Sequence, residues 1–354
     1  MSQTNKPFSD HDLERFAREC LEDNGIPGAS IAVFVDGEPA LITAFGSTDL
    51  PGTKPLTTDA RFYTYSITKT FIAIAMMQLV EEGRLDLDDP VRRYLPELPI
   101  PEPITVRQLL NHTAGLPDYG ALPEYKRAVR ETPDTPWTPD EFLERTMAQG
   151  MLFQPGEGWS YSNIGYLILK LLLEELHRSS LKCVLEERLF ARLELTQTFV
   201  AEDLSDASVL APGYTTFFDP DGEPRDMTAI YHPGWVSHGV AISTAADTAR
   251  ILDALLAGKL VSESSLEEML VPIPVEHDHP LFEKPSYGLG LMLDPASQFG
   301  LIAGHAGAGP GYSTAAFHFP DVDGSPRTVT VLTSTDTTNV ALEVAFMVTP
   351  EPRR

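Results

Sequence analysis

The sequence predicts an α/β (α+β) protein: an antiparallel sheet flanked by helices, built from both chain ends, with an all-helical lobe inserted between. Three observations predict it. Runs rich in β-branched and aromatic residues gather before residue 62 and after residue 286, and the stretch from about Asp86 to Leu195 is helical and broken by prolines. A chain of 354 residues with 42% hydrophobic side chains is also long enough to bury one large core. The expected organisation is a single domain in two lobes, residues 8–62 plus 238–350 for the sheet and 63–237 for the helices.

Ser9 precedes an amphipathic helix pattern with Leu13, Phe16, Ala17, Cys20 and Leu21 on one face, and Gly25 is placed to stop it. "ASIAVFVDGEPALITAFG" follows as a hairpin turned by Asp36-Gly37. "YTYSITKTFIAIAMMQLVEEG" then opens a long apolar helix that runs through Val80 and ends at Gly83. Thr105 with Gln108, and Thr138 with Pro139 and Glu141, have the spacing of capping boxes, in which side chains satisfy the orphan N–H groups of a first helical turn. Between the opening helix and Thr105, the proline-rich "LPELPIPEPI" reads as a rigid connector. "STAADTARILDALLAG" is a capped helix, and strands are expected over Tyr287–Leu293, Phe299–Ala303, Thr314–Phe319 and Thr328–Thr333. The last residues suffice for one short helix.

Composition excludes several function classes. A formal charge of −25 repels phosphate backbones and anionic lipid heads, so neither nucleic acid nor a membrane surface is an expected partner. The longest apolar runs, Phe71 to Val80 and Ile164 to Leu173, are too short to span a bilayer. "MSQTNKPFSDHD" lacks the basic start and apolar centre of a secretory signal, which points to the cytoplasm. Two cysteines, Cys20 and Cys183, make no disulfide framework, and both read as core thiols. No Cys/His spacing offers a zinc site, "EHDH" at Glu276–His279 reads as an exposed loop, and no metal or organic cofactor is expected.

Three short segments carry the candidate chemistry. Ser66 and Lys69 stand three residues apart, one turn of a helix, so a hydroxyl and an amine can meet on one face. Burial among Phe71, Ile72 and their neighbours would disfavour the charged ammonium and make the amine a base. Read alone, the pair also fits the start of an ordinary buried helix, and a second S-x-x-K at Ser179 and Lys182 is explained by helix capping. "GEGWSYSNIGYLILKLLL" places Tyr161 and Asn163 in a loop ahead of an apolar helix. "LIAGHAGAGPGYSTAAF" places His305, Ala306 and Gly307 at the end of a strand. A competing H-x-G at His232–Gly234 is disfavoured because Pro233 would interrupt a strand.

S-x-x-K, then Y-x-N, then H-x-G, in this order, resembles the serine hydrolases related to class C β-lactamases and penicillin-binding proteins. The similarity extends through "GIPGASIAVFVDG", "ITVRQLLNHTAGLPDY", "FQPGEGWSYSNIGYLIL", "VAISTAADTARIL" and "GHAGAGPGY". It implies a β-lactamase/transpeptidase-like fold and assigns roles. Ser66 would be acylated, Lys69 would take or relay its proton, and Tyr161 would shuttle a proton to the leaving group, helped by the nearby cation. Asn163 would hold Lys69 and the substrate amide, and the N–H groups of Ser66 and Ala308 would form an oxyanion hole beside Gly307.

The third element departs from K-T-G. His305 is a partly charged group near neutral pH rather than a fixed cation, so the grip on a substrate carboxylate is weakened. Members with H-x-G resemble D-aminopeptidases, D-amino-acid amidases and esterases. The expected function is therefore hydrolysis of a small ester, amide or short peptide through an acyl-serine intermediate. The alternatives are acyl transfer on the same fold, a β-lactamase or D-Ala-D-Ala carboxypeptidase, and a non-catalytic binding or scaffold protein. Long aromatic loops suggest Tyr119 and Trp235 as pocket residues, although ordinary packing fits both equally well. Oligomeric state is not legible.

Overall fold

The computed structural model describes residues 24–100, 103–337 and 339–349, together with Arg15 and Glu19. Strands β1 (Gly28–Val35) and β2 (Glu38–Gly46) form the expected hairpin. Asp36 and Gly37 turn it with φ of 51° and 82°, the left-handed pair that a two-residue hairpin turn requires. Later in the chain come β3 (Phe62–Tyr63), β4 (Phe199–Ala201), β5 (Tyr214–Thr215), β6 (Arg225–Asp226), β7 (Val240–Ser243), β8 (Ile273–Pro274), β9 (Ser286–Tyr287), β10 (Met292–Ser297), β11 (Gly300–Gly309), β12 (Tyr312–Val322) and β13 (Ser325–Thr333). Eight of these form one antiparallel sheet in the order β2-β1-β13-β12-β11-β10-β9-β8. The sheet thus draws on both chain ends, because β1 pairs with β13 through Ala29↔Thr333 to Val35↔Arg327. A small second sheet, β3-β7-β4, sits beside the turn that carries Ser66.

The helices are α1 (Thr68–Glu81), α2 (Val106–Leu110), α3 (Pro123–Glu131), α4 (Pro139–Met147), α5 (Asn163–His177), α6 (Leu181–Leu185), α7 (Ala245–Leu256), α8 (Glu263–Met269) and α9 (Val340–Met347). Both capping boxes are present, at Thr105/Gln108 and Thr138/Glu141. Strand alternation sorts the sheet's two faces. Ala29, Ile31, Val33, Phe317, Val329 and Val331 meet Val340, Leu342 and Val344 of α9. Ala32, Phe34, Ala316 and Leu332 join a larger core with Ile251 and Leu255 of α7. α1 is buried continuously from Thr68 to Leu79, so it is a central helix with no solvent face. That burial encloses Lys69.

Two expectations change. The strand expected over Tyr287–Leu293 is two strands, because residues 288–291 leave the ladder. Their N–H groups bond elsewhere, Gly288 to Leu291 O at 2.8 Å, Leu289 to Met269 O at 3.0 Å and Gly290 to Leu110 O at 3.2 Å. Cys183 is exposed and not a core thiol. α6 turns Leu181, Val184 and Leu185 inward, and that spacing leaves position 183 facing out. The core positions of the helix after Ser9, including Cys20, lie outside the described residues. No helix among the described residues is long and apolar enough to cross a membrane.

Candidate active site

Ser66 lies in a single 3₁₀ turn, Tyr65–Ile67, that runs directly into α1. Tyr65 is held at φ 45°, a conformation costing about 1 kcal/mol or more in a non-glycine residue. The surroundings impose it. Thr64 N donates to Ala241 O at 2.9 Å, Thr68 Oγ1 accepts from Ala241 N at 3.0 Å, and the Tyr65 hydroxyl donates to Pro310 O at 2.6 Å. β7 and the β11–β12 turn therefore clamp the Ser66 turn from both sides.

The expected hydroxyl–amine pair forms. Lys69 Nζ lies 3.1 Å from Ser66 Oγ and 2.7 Å from Asn163 Oδ1, with its side chain fully enclosed. Besides Ser66, its polar neighbours Asn163 and His238 come from remote segments of the chain. Burial pushes the Lys69 pKa well below 10.5, outweighing the attraction of Asp118. Asn163 is itself oriented by Asp118, whose carboxyl accepts from the Asn163 N–H at 2.9 Å and from Nδ2 at 3.3 Å. With Nδ2 so engaged, only Oδ1 is left to face the amine.

Tyr161 joins this group. Its hydroxyl feels the Ser66 side chain, and Lys69 Nζ stands 4.8 Å from its ring centroid. Burial drives the phenol well above 10, so Tyr161 rests as a neutral hydroxyl. His112, in left-handed backbone at φ 63°, packs against the Tyr161 ring at 4.4 Å and accepts from Ser162 N at 3.2 Å.

His305 lies within β11, not at its end, since the strand continues to Gly309. Its Nδ1 is 2.6 Å from Ala306 O, a pure acceptor, so Nδ1 carries the proton and Nε2 accepts from the Tyr287 hydroxyl at 2.8 Å. Burial, reinforced by Lys69, lowers its pKa from 6.5 to about 3. The partly charged group expected near neutral pH is thus a neutral ring, and no cation stands where the K-T-G lysine would. His232 caps a 3₁₀ turn, outside any strand.

Gly307 brings β11 against the Ser66 turn. A Cβ there would sit 2.5 Å from Thr64 O, 2.6 Å from Thr314 Oγ1 and 2.9 Å from Ser66 N. Ala308 follows and borders two cavities, one of about 220 Å³ that also touches Ser66 and one of about 230 Å³ that also touches Tyr161 and His305. Tyr119 and Trp235 both line the first, alongside Tyr65, Tyr125, Phe217 and Tyr231. Both also serve packing: the Tyr119 hydroxyl accepts from Ser237 N at 3.2 Å and Trp235 Nε1 donates to Pro133 O at 3.0 Å. Gly307→Ala is expected to lower kcat/KM by about 100-fold, because it displaces the Ser66 turn. It should also cost about 1–3 kcal/mol in stability through overpacking. Steady-state kinetics with thermal denaturation of the variant checks both.

The Beta-lactamase family model matches residues 13–349. The chain belongs to the Beta-lactamase family. Penicillin-binding protein 4* of Bacillus subtilis (strain 168) is 30% identical over 294 residues, 78% of this chain and 62% of that protein. A D-aminopeptidase of Brucella anthropi is 34% identical over 202 residues, 57% of this chain and 38% of its own. The structure of a D-stereospecific amidohydrolase from Streptomyces sp. aligns with a TM-score of 0.81 at 29% identity, over 97% of this chain and all of the other. The Beta-lactamase family chain described here spans a little under two thirds of the penicillin-binding relatives it matches, 62% and 64%.

Asp118, His112, Tyr287 and His238 were not singled out from the sequence, yet all four stand in contact with the candidate groups. His112 and Asp118 fall inside the segment "NHTAGLPDY", which carried the family resemblance without assigning either a role. Among the described residues no cluster of three or more His, Cys, Asp or Glu side chains has the arrangement of a metal site.

Proposed function

We propose that this chain is a serine hydrolase that cleaves small, uncharged esters or amides with an aromatic or bulky apolar acyl group through an acyl-Ser66 intermediate. The observation that carries the proposal is a buried lysine amine, depressed in basicity, within hydrogen-bond reach of Ser66 Oγ. Ser66 Oγ bonds to the carbonyl carbon as its proton passes to Lys69 Nζ. The oxyanion is received by the N–H groups of Ser66 and Ala308. Through Tyr161 the proton reaches the leaving group, whose bond to carbon breaks, and water repeats the sequence to release the acid. Gly307 keeps the strand close enough for this geometry.

The preference for an uncharged substrate rests on the cavity walls. No Asp, Glu, Lys or Arg is among the described residues lining either cavity, and the first is walled by aromatic rings. A carboxylate-bearing peptide or β-lactam meets no cation there, since His305 is neutral. A second reading, a D-amino-acid amide as substrate, is favoured by the amidohydrolase and aminopeptidase relatives. An α-ammonium group would rest on ring faces in place of a carboxylate. The two-lobe division, 8–62 with 238–350 and 63–237, belongs to the proposal. In its favour, the large sheet draws its described strands from 28–46 and 273–333, with none from between.

The test is a panel of p-nitrophenyl esters of 3-phenylpropionate, acetate and succinate, with D- and L-phenylalanine amide, and with hydroxylamine as competing acceptor. The phenylpropionate ester should have the highest kcat/KM and the succinate half-ester a much lower one. Faster turnover of succinate refutes the uncharged-substrate reading. Preferential transfer to hydroxylamine favours an acyltransferase, and no turnover of any member favours a binding protein.

A further inference from the structure

The Lys69 amine has a third partner that belongs to none of the three motifs. His238 Nε2 lies 3.2 Å from Lys69 Nζ, its ring is 1% exposed, and it follows the aromatic loop that ends in Trp235 and leads into β7. Its other nitrogen, Nδ1, has no hydrogen-bond partner among the described residues. A buried polar atom left unpaired costs free energy, and a side chain retained only for packing has no reason to incur that cost.

Counting lone pairs and protons at Nζ indicates what His238 does. An uncharged amine has two N–H donors and one lone pair. Asn163 Oδ1, at 2.7 Å, can only accept. If His238 Nε2 also accepts, both N–H bonds are used and the lone pair is directed at the remaining neighbour, the Ser66 hydroxyl at 3.1 Å. Without His238 one N–H has no fixed direction, and the lone pair can rotate away from Ser66.

We propose that His238 is a positioning residue for acyl transfer, a neutral histidine that accepts a hydrogen bond from Lys69 Nζ and so aims the amine's lone pair at Ser66 Oγ. The inference rests on Ser66 and Lys69 acting as in the proposed function. As the bond from Oγ to the carbonyl carbon forms, the Ser66 proton moves to Nζ. The resulting ammonium donates to Asn163, His238 and the oxygen that receives the proton onward. His238 keeps its own proton on Nδ1 throughout and takes none from Lys69, because burial and the neighbouring amine hold its ring well below 6.5.

The groups that face this amine are known. Lys69 sees Asp118 through Asn163, Tyr161 and Tyr166 at 4.8 and 5.5 Å from their ring centroids, and the neutral rings of His112 and His305. His238 additionally feels Lys170 of α5 and packs 6.4 Å from the Tyr166 ring. Among the described residues Asp118 is the charge that favours the ammonium, and Asn163 Oδ1 and His238 Nε2 are the nearby acceptors that help steady it.

The experiment measures the second-order rate at which a fluorophosphonate labels Ser66, across pH, in wild type, His238→Leu, His238→Asn and His238→Gln. Gln places an amide oxygen where Nε2 stood, whereas the shorter Asn does not reach. In His238→Leu and His238→Asn labelling should slow by about 10- to 100-fold, the effect of losing one hydrogen bond to a developing charge. The acid limb should move to lower pH, because the ammonium has lost an acceptor. Gln should restore both rate and limb. Asn covers the case in which Leu fails to fold. Wild-type rate and limb in either Leu or Asn, or a slower rate with an unmoved limb that Gln does not restore, overturns the inference while leaving the function intact. If wild-type Ser66 itself is not labelled, the function reading fails and this one with it.

Discussion

Ser66→Ala is expected to lower kcat/KM by about 10⁴-fold or more, because the acyl-enzyme route ends without its oxygen and only positioning by the surrounding groups remains. Fold and stability should be nearly unchanged. Ser66 is half-buried at the mouth of a cavity, and its Oγ meets the Lys69 amine instead of packing in the core. The check is steady-state kinetics on the best ester of the panel, with circular dichroism to show that the variant is folded. Retention of more than a tenth of wild-type kcat/KM would remove Ser66 from the mechanism.

Lys69→Met should abolish acylation to a similar extent while leaving the protein as stable as wild type or more so. The two outcomes have one cause. Folding removes the amine from water, and burial lowers its pKa well below 10.5. Below pH 10.5 the unfolded chain therefore binds a proton that the native state resists. The sign follows from linkage: any stability associated with the neutral amine is present above 10.5 and is lost as pH falls through the lowered value. Methionine fills similar volume without that cost, and the relief offsets the loss of a donor to Asn163 Oδ1 and His238 Nε2. Lys69→Arg should be as inactive as Met, since a guanidinium cannot shed its proton to become a base. In the wild type, kcat/KM should rise through an acid limb set by the amine. Thermal denaturation at neutral pH together with ester kinetics separates these effects. A methionine variant that is active, or one that is strongly destabilised, contradicts the assignment of a neutral buried base.

Legibility from the sequence varied with the range of the interactions involved. The hairpin at Asp36-Gly37, the boxes at Thr105 and Thr138 and the capped helix in "STAADTARILDALLAG" are legible because each is decided by a few adjacent residues. The break in the strand expected over Tyr287–Leu293 is not legible locally, because it depends on bonds to Met269 and Leu110, remote in sequence. Cys183 illustrates a shorter failure: its helix gives way after Leu185 to a π turn, and the inward face belongs to positions 181, 184 and 185.

The candidate site divides the same way. Ser66 and Lys69 are neighbours on one turn, so their meeting follows from helix geometry. The approach of Asn163, Tyr161 and His305 was expected only through the family's motif order. Their electrostatic state was not legible at all. Whether His305 is charged depends on the enclosure of β11 and on Tyr287, and whether Tyr161 ionises depends on its burial beside His112. His238 is not legible from the sequence, because a single histidine in "WVSHGVAIST" carries no pattern. Its meaning comes from a 3.2 Å contact across 169 residues of chain.

The central claim is that Ser66 Oγ is the nucleophile and the uncharged Lys69 amine its base. Intact-protein mass spectrometry after treatment with a fluorophosphonate, followed by peptide mapping, tests it most directly. One adduct per chain on Ser66 in the wild type, with labelling lost in Lys69→Met, is the predicted result. An adduct on any other residue, or undiminished labelling of Ser66 without the lysine, would contradict it.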